Sequence, residues 1–431
     1  MFKQLASTVF SADFEKEVLA FWQKNDIFKK SLEARKNCTK YIFYDGPPFA
    51  TGLPHYGHLL AGTIKDIIPR YQTMRGKFVP RRFGWDCHGL PVEYEMEQEL
   101  SLHGKQDIIK YGIDRFNEQC RSIVLRYVNE WRSTVSRMGR WVDFDHDYKT
   151  MDPAFMESIF WVFKSLWEKK LVYEGMKILP YCPRCATPLS NFETNQGYKE
   201  TDDPSVTVRF RSAASPDTWF LAWTTTPWTL PSNFALAVGK GIKYVKIRDN
   251  NNFYIMAKER LPVYYKNSAE YQIIRELSDE ELCGQKYLPL FPYFSGYAEK
   301  NSFRILTGDF VSTEDGTGIV HLAPAFGEDD YALALKEKIA FAAPVDDEGK
   351  FTSEIPDYQG RFVKDCDKDI IERLKKEGSL IHRSRVRHNY PFCWRCDTPL
   401  LYRGISTWFV NVESIKKDML DANSNTSWVP Q

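Results

Sequence analysis

The sequence predicts an α/β protein carrying a large, mostly β insert, and three features predict it. Strand, tight loop, helix and second strand follow one another near the start, the βαβ order of a nucleotide-binding sheet. From Thr201 to about Val386, short runs of strand formers separated by Gly, Pro and Asn replace helical periodicity. Two segments sharing C-x-R-C-x-T-P-L, Tyr181–Leu189 and Phe392–Leu400, bracket that stretch, so the chain leaves and re-enters one place.

Asp13–Ser31 sets Phe14, Val18, Phe21 and Trp22 at helical spacing, with Leu19 beside them, and reads as one helix within an N-terminal helical extension over 1–40. Tyr41-Ile-Phe-Tyr44 reads as a buried strand, stopped by the forced turn Asp45-Gly46-Pro47-Pro48. A helix follows from about Gly57, with Leu60, Ile64, Ile67, Ile68 and Tyr71 largely on one face and Pro69 as a point of kinking. Phe78–Arg82 supplies the second strand, and Asp107–Leu171 carries helical periodicity with few breakers beyond Gly112, Gly139 and Pro153. The expected divisions are 41–181 for the first half of a Rossmann-like domain, 182–200 and 385–400 for the two knuckles, 201–384 for the insert and 401–431 for a return segment.

At 431 residues the chain has room for two to four domains of about 100–200 residues each. Hydrophobic residues at 43%, aromatics at 15% and charged residues at 27% argue against a fibre or a disordered tail. Lys+Arg of 58 against Asp+Glu of 57 leaves a net charge of +1, so RNA contact requires a local patch. Arg70–Arg82 and Arg383–Arg387 are such clusters, though solvated surface charge is the commoner explanation of such runs. No apolar run reaches about 18 residues and the start has no signal-peptide core, so the expectation is a cytoplasmic protein with no membrane association.

Between strand and helix, the loop DGPPFATGLPHYGH (Asp45–His58) lies where unpaired backbone N–H groups and the helix dipole favour phosphate. Gly52-x-x-x-x-Gly57 fails as a P-loop, because His58-Leu59 stands where Lys-Ser/Thr is required. What remains is His55-Tyr56-Gly57-His58, in which glycine admits a flat base and two imidazoles can donate to phosphate oxygens. Cys182/Cys185 and Cys393/Cys396 supply four thiolates, enough for a closed structural zinc; free thiols in two turns are the alternative. In the insert, Trp223-Thr-Thr-Thr-Pro-Trp-Thr-Leu-Pro-Ser-Asn233 clusters hydroxyls, which β-former usage also explains. Gly316-Thr-Gly-Ile-Val-His321 and Ala323-Pro-Ala-Phe-Gly-Glu-Asp-Asp-Tyr331 add a histidine and acids, with a helix expected from around Asp329.

Asp45–His58, followed by Lys65-Asp-Ile-Ile68 and Gly84-Trp-Asp-Cys-His-Gly-Leu-Pro91, closely resembles the signature of class I isoleucyl-tRNA synthetases. The resemblance covers essentially all 431 residues and favours isoleucine, since the valyl and leucyl relatives word this loop differently. It implies that His55, Gly57 and His58 hold ATP, supplied with Mg2+, the two histidines acting catalytically. Gly46, Pro47 and Asp86 would border the L-isoleucine pocket, with Asp86 pairing the substrate ammonium; a plain turn residue is the other reading of Asp86. It implies further that the insert is a barrel-like editing domain that hydrolyses valyl-tRNA(Ile). There Thr224, Thr225 and Thr226 position water, His321 walls the side-chain pocket and Asp330 grips the free ammonium.

The implied partners are tRNA(Ile), isoleucine and ATP, the implied metal is a structural zinc on the four cysteines, and the expected state is a monomer. A Lys-Met-Ser-Lys-Ser type loop does not occur in these residues, so this stretch alone is expected to activate isoleucine poorly while editing survives. Two other readings stand: another nucleotidyl-transferring enzyme of the H-x-G-H kind, and an RNA-binding or regulatory fragment without catalysis. The β insert between C-x-x-C pairs counts against the first; isoleucine-dependent pyrophosphate exchange separates the second.

Overall fold

The stretch expected to form one N-terminal helix forms two, α1 (Ala12–Lys24) and α2 (Ile27–Glu33). Asn25 Nδ2 donates to the Phe21 carbonyl at 2.9 Å, and Asp26 takes a left-handed φ of 52°, so the apolar periodicity runs across a break that local polar residues make. The structure is a computed structural model describing residues 12–49, 52–124 and 126–428; residues 1–11 of the expected extension lie outside them. It divides into two units, Met1–Val172 with Val412–Gln431, and Tyr173–Asn411.

In the first unit, Tyr41–Tyr44 is extended but is no buried strand. Tyr44 is 91% and Ile42 64% exposed, and only isolated parallel bridges hold this stretch, Lys40 to Phe78 and Phe49 to Asp86. The second strand, expected at 78–82, lies at β1 (Arg82–Trp85), because Pro80 has no N–H to give and the ladder restarts after it. Between them α3 (Tyr56–Met74) continues through Pro69, and the face carrying Leu60, Ile67 and Tyr71 is exposed. Periodicity therefore marked a face that the described residues leave largely open to solvent.

Next come α4 (Leu90–Leu100), α5 (Lys105–Tyr111), α6 (Ile113–Val124) and α7 (Val128–Arg137). They enclose a core of Phe83, Trp85, Met96, Phe116, Ile123 and Trp131. A strand then interrupts the region expected to be helical: β2 (Asp143–Lys149) pairs in parallel with β1. Asp143 accepts the N–H groups of Asp145 and His146 at 2.9 and 3.0 Å, a local bond that competes with helix. Helix α8 (Pro153–Glu168) starts on Pro at its first position and buries no side chain; Phe160 and Trp161 stand exposed.

The second unit opens with β3 (Val172–Cys182), β4 (Thr187–Pro188) and α9 (Asn191–Asn195), capped reciprocally by Ser190 and Glu193. The strands β5 (Tyr198–Ser212), β6 (Thr218–Thr224), β7 (Ala235–Val238), β8 (Tyr244–Asp249) and β9 (Asn252–Ala257) follow. After α10 (Leu261–Tyr264) come β10 (Gln272–Leu277), α11 (Asp279–Leu282), β11 (Tyr287–Leu288), β12 (Ile305–Thr307), β13 (Ile319–Leu322) and α12 (Glu328–Lys336). The unit finishes with α13 (Asp367–Lys376), β14 (Leu380–Pro391) and β15 (Leu401–Val410), which pairs with β3. Last is α14 (Lys416–Asn423), in the first unit.

These pairings close on themselves. Strand β6 pairs β5, β5 pairs β11, Tyr287 N donates to the Phe303 carbonyl at 3.0 Å just before β12, β12 pairs β7, β7 pairs β13 and β13 returns to β6. Inside lie Phe210, Phe220, Leu236, Ile305, Ile319 and Leu322. A long antiparallel ribbon of β5 with β14, from Tyr198 opposite Pro391 to Val208 opposite Leu380, leads out of this ring to the cysteine segments. No helix among the described residues is long and apolar enough to cross a membrane.

Candidate functional site

Both histidines of the H-x-G-H segment cap α3. His55 Nδ1 accepts Gly57 N–H at 3.1 Å, His58 Nδ1 accepts His55 N–H at 3.3 Å, and the rings stack 3.7 Å apart. Each Nδ1 accepts and therefore carries no proton, which leaves Nε2 as the N–H donor of each ring. Burial, then the neighbouring His55 and Lys65, holds His58 below the ordinary imidazole range, so its ring is neutral at pH 7. A Cβ at Gly57 would come within 3.0 Å of the His55 ring, so glycine here makes room for the capping imidazole.

A pocket of about 310 Å³ beside this helix start is lined by Gly46, Pro47, His58, Lys65, Trp131 and Arg140, among others. His55, Gly57 and Asp86 are outside its lining. Asp86 N–H donates to the Pro48 carbonyl at 2.8 Å, and its Oδ1 accepts His88 N–H at 3.4 Å, the bond of a turn residue. The Asp45 carboxylate holds two cations at the pocket, Lys65 and, at 2.5 Å, Arg140.

In the insert, the threonine segment, β13 and α12 converge on a pocket of about 230 Å³ lined by Thr224, Thr225, Thr226, Thr229, His321 and Asp330, with Trp223 and Phe326 among its apolar walls. Thr224 ends β6, and Thr226 caps a 3-10 helix over Pro227–Ser232. At three residues per turn Thr226 and Thr229 share a face, and their hydroxyls lie 3.2 Å apart. His321 is buried between Thr229, whose Oγ1 is 2.9 Å from Nε2, and Asn233, whose Nδ2 is 3.4 Å from Nδ1. Burial pushes His321 down to about 4, so the ring is neutral near pH 7. In the first turn of α12, Asp330 Oδ2 accepts Ala323 N–H at 2.8 Å, while burial pushes its carboxyl up to about 6.

The two C-x-x-C hairpins meet although 214 residues separate Cys182 from Cys396, whose sulfurs are 3.5 Å apart. All four Sγ atoms lie within 4.8 Å of one another, and the Leu189 and Leu400 that close the shared T-P-L tails pack against them. Tetrahedral zinc at about 2.3 Å from each sulfur would set the sulfurs about 3.8 Å apart, so the donor set fits. Cys396 is held well below the usual thiol range because Cys182, Cys185 and Cys393 surround its sulfur, which favours a thiolate. Gly197 lets the segments approach: its carbonyl accepts Phe392 N–H at 2.9 Å, and a Cβ on it would lie 2.0 Å from the Phe392 oxygen.

A profile of the family described as "tRNA synthetases class I (I, L, M and V)" matches residues 17–431. The chain belongs to the class I tRNA synthetases. Among relatives of this synthetase chain, proteins named "Isoleucine--tRNA ligase" from Treponema denticola and Protochlamydia amoebophila are each 55% identical over 100% of it. One of the same name from Bdellovibrio bacteriovorus is 54% identical over 96%. The chain spans only 42%, 42% and 40% of those relatives' lengths. A solved structure titled "The crystal structure of GlLeuRS-CP1" overlays 42% of the chain and 99% of its own at 16% identity, with a TM-score of 0.33.

The structure adds residues to the two candidate pockets that the sequence pattern does not single out. Thr229 and Asn233 stood inside the threonine segment; the i, i+3 spacing from Thr226 was the signal for Thr229, and Asn233 carried none. Lys65 stood inside a quoted motif, whereas Arg140 carried none. Asp367 had none either: its Oδ1 accepts Trp228 N–H at 2.8 Å and so pins the start of the 3-10 helix from 139 residues away.

Proposed function

We propose that this chain is the portion of an isoleucine–tRNA ligase that carries part of the ATP and isoleucine site and the whole of a hydrolytic site for valyl-tRNA(Ile). The observation that carries the reading is the insert's pocket, where four threonines, a histidine and a carboxylate from three separate elements line one small cavity. An ionised Asp330 at its wall would pair with the free ammonium of an aminoacyl ester, and Trp223 and Phe326 would bound its side chain. A second, smaller sieve is needed because one methylene in an apolar pocket is worth only about 1–3 kcal/mol, a figure known for this very enzyme class and not obtained from this pocket.

The neutral His321 is a wall and a hydrogen-bond donor, since its Nε2 is engaged by Thr229. Hydrolysis then needs a water held by threonine oxygens and directed at the ester carbon. On the other unit, the two Nε2–H groups of His55 and His58, with Lys65 and Arg140, are the donors that would meet ATP phosphates. Gly46 and Pro47 would border isoleucine beside that site, with Asp86 pairing its ammonium; Cys182, Cys185, Cys393 and Cys396 would hold zinc, which supplies structure and no chemistry. The test is deacylation of valyl-tRNA(Ile) and isoleucyl-tRNA(Ile) by the metal-loaded chain. Faster hydrolysis of the valyl ester supports the reading; no hydrolysis of either ester, by protein shown to be folded, overturns it.

A further inference from the structure

We infer that Tyr287, which does not line the insert's pocket, is a positioning residue for it, acting through Asn233 to fix His321 with its proton on Nε2. The inference rests on the hydrolytic reading of that pocket for its effect on turnover, but the bonding pattern stands independently.

The argument is a count of donors. Tyr287 is fully enclosed by the ring of strands, and its hydroxyl donates to Asn233 Oδ1 at 2.6 Å. The Asn233 amide cannot be the other way round, because its Nδ2 also donates to the Ala235 carbonyl at 2.8 Å. Its second N–H therefore points at His321 Nδ1, 3.4 Å away, which must accept. A neutral imidazole that accepts at Nδ1 carries its proton on Nε2, and that proton goes to Thr229 Oγ1 at 2.9 Å. Thr229 in turn spends its own proton on the Thr226 carbonyl at 2.8 Å.

The direction set by Tyr287 reaches the cavity. With Thr229 committed, the Thr226 hydroxyl donates to Thr229 Oγ1 at 3.2 Å, and the Thr224 hydroxyl donates to Thr226 Oγ1 at 3.1 Å while its own oxygen takes Thr226 N–H. All three hydroxyl protons are used within the relay, so Thr224 and Thr226 offer lone pairs to the pocket. A water there donates to them and keeps its own lone pairs for the ester carbon. Without the Tyr287 bond the buried Asn233 Oδ1 loses its donor and the Ala235 carbonyl alone holds the amide, so the 3.4 Å N–H to Nδ1 loosens and the direction of every later bond is open to reversal.

Tyr287→Phe removes one oxygen and leaves the ring packed between Phe210 and Phe303. Long-range nitrogen–proton NMR on the full chain should give His321 a single Nε2–H signature in the unaltered protein and a mixture of tautomers in Tyr287→Phe. Turnover of valyl-tRNA(Ile) should fall roughly tenfold in kcat with KM little changed, the scale of one lost buried hydrogen bond. Retention of the pure Nε2–H signature, or an altered signature with unaltered kcat, overturns the inference. Should Tyr287→Phe fail to fold, Asn233→Asp serves: an acceptor facing Nδ1 should draw the proton there, and an unchanged Nε2–H signature overturns the relay. Absence of hydrolysis by the unaltered chain would sink the functional reading alone, since the tautomer measurement does not need it.

Discussion

In the proposed role Asp330 has to be ionised to pair with an ammonium, yet burial pushes its carboxyl up to about 6. Hydrolysis of valyl-tRNA(Ile) should therefore rise as pH increases through about 6, and Asp330→Asn should lower kcat/KM by roughly tenfold or more and flatten that rise; pH–rate profiles of both proteins check this. Asp367 offers a stability counterpart, because burial, opposed by its bond from Trp228 N–H, pushes its carboxyl up to about 7. The folded state keeps this proton to higher pH than the unfolded chain does. Its contribution is thus complete below about pH 4 and lost as pH rises through about 7. Asp367→Asn keeps an acceptor for Trp228 and should be more stable than the parent at pH 8, by on the order of 1–2 kcal/mol after solvent screening, with the difference gone near pH 4; urea titrations at the two pH values measure it. Residue letters were the most legible layer of the sequence: the threonines, His321 and Asp330 were readable because a short motif names them. Asp367 and Tyr287 were not, since a carboxylate or phenol that works from far along the chain leaves no local pattern.

The limits of that legibility show again at the level of elements. Long runs with clear periodicity, such as α3 and β5, could be read, but which side of α3 finds a partner could not. Strand β2 escaped because three aspartates and a histidine mask its alternation, and β11 and β12 are two and three residues long, too short for any period. Those two short strands close the ring, so its closure was invisible to pattern. The paired knuckles were legible because the T-P-L tails repeat, and the repeat has a physical use in Leu189 and Leu400 packing on the thiols. Gly197 controls how near the two knuckles come. Gly197→Ala should cost the second unit about 1–3 kcal/mol by overpacking and lower its metal content, read by denaturant titration and by metal analysis of the same preparation; full metal content with unchanged stability would refute this.

Across the whole molecule, the two units have separate apolar cores. Thermal unfolding should accordingly show two transitions. If zinc sits on the four cysteines, a strong chelator should lower only the transition of the unit that contains them, and added zinc should restore it; calorimetry with and without chelator decides. The same cysteines set a schedule for the newborn chain. Ribosomes add roughly 5–20 residues per second, so the first thiol pair waits about 10–40 s for the second to emerge, the two ends of the site being 214 positions apart. During that interval Cys182 and Cys185 would be half of the proposed ligand set, open to oxidation and to the wrong ion. The order of translation, as much as the final geometry, would then determine whether the proposed metal site is filled correctly.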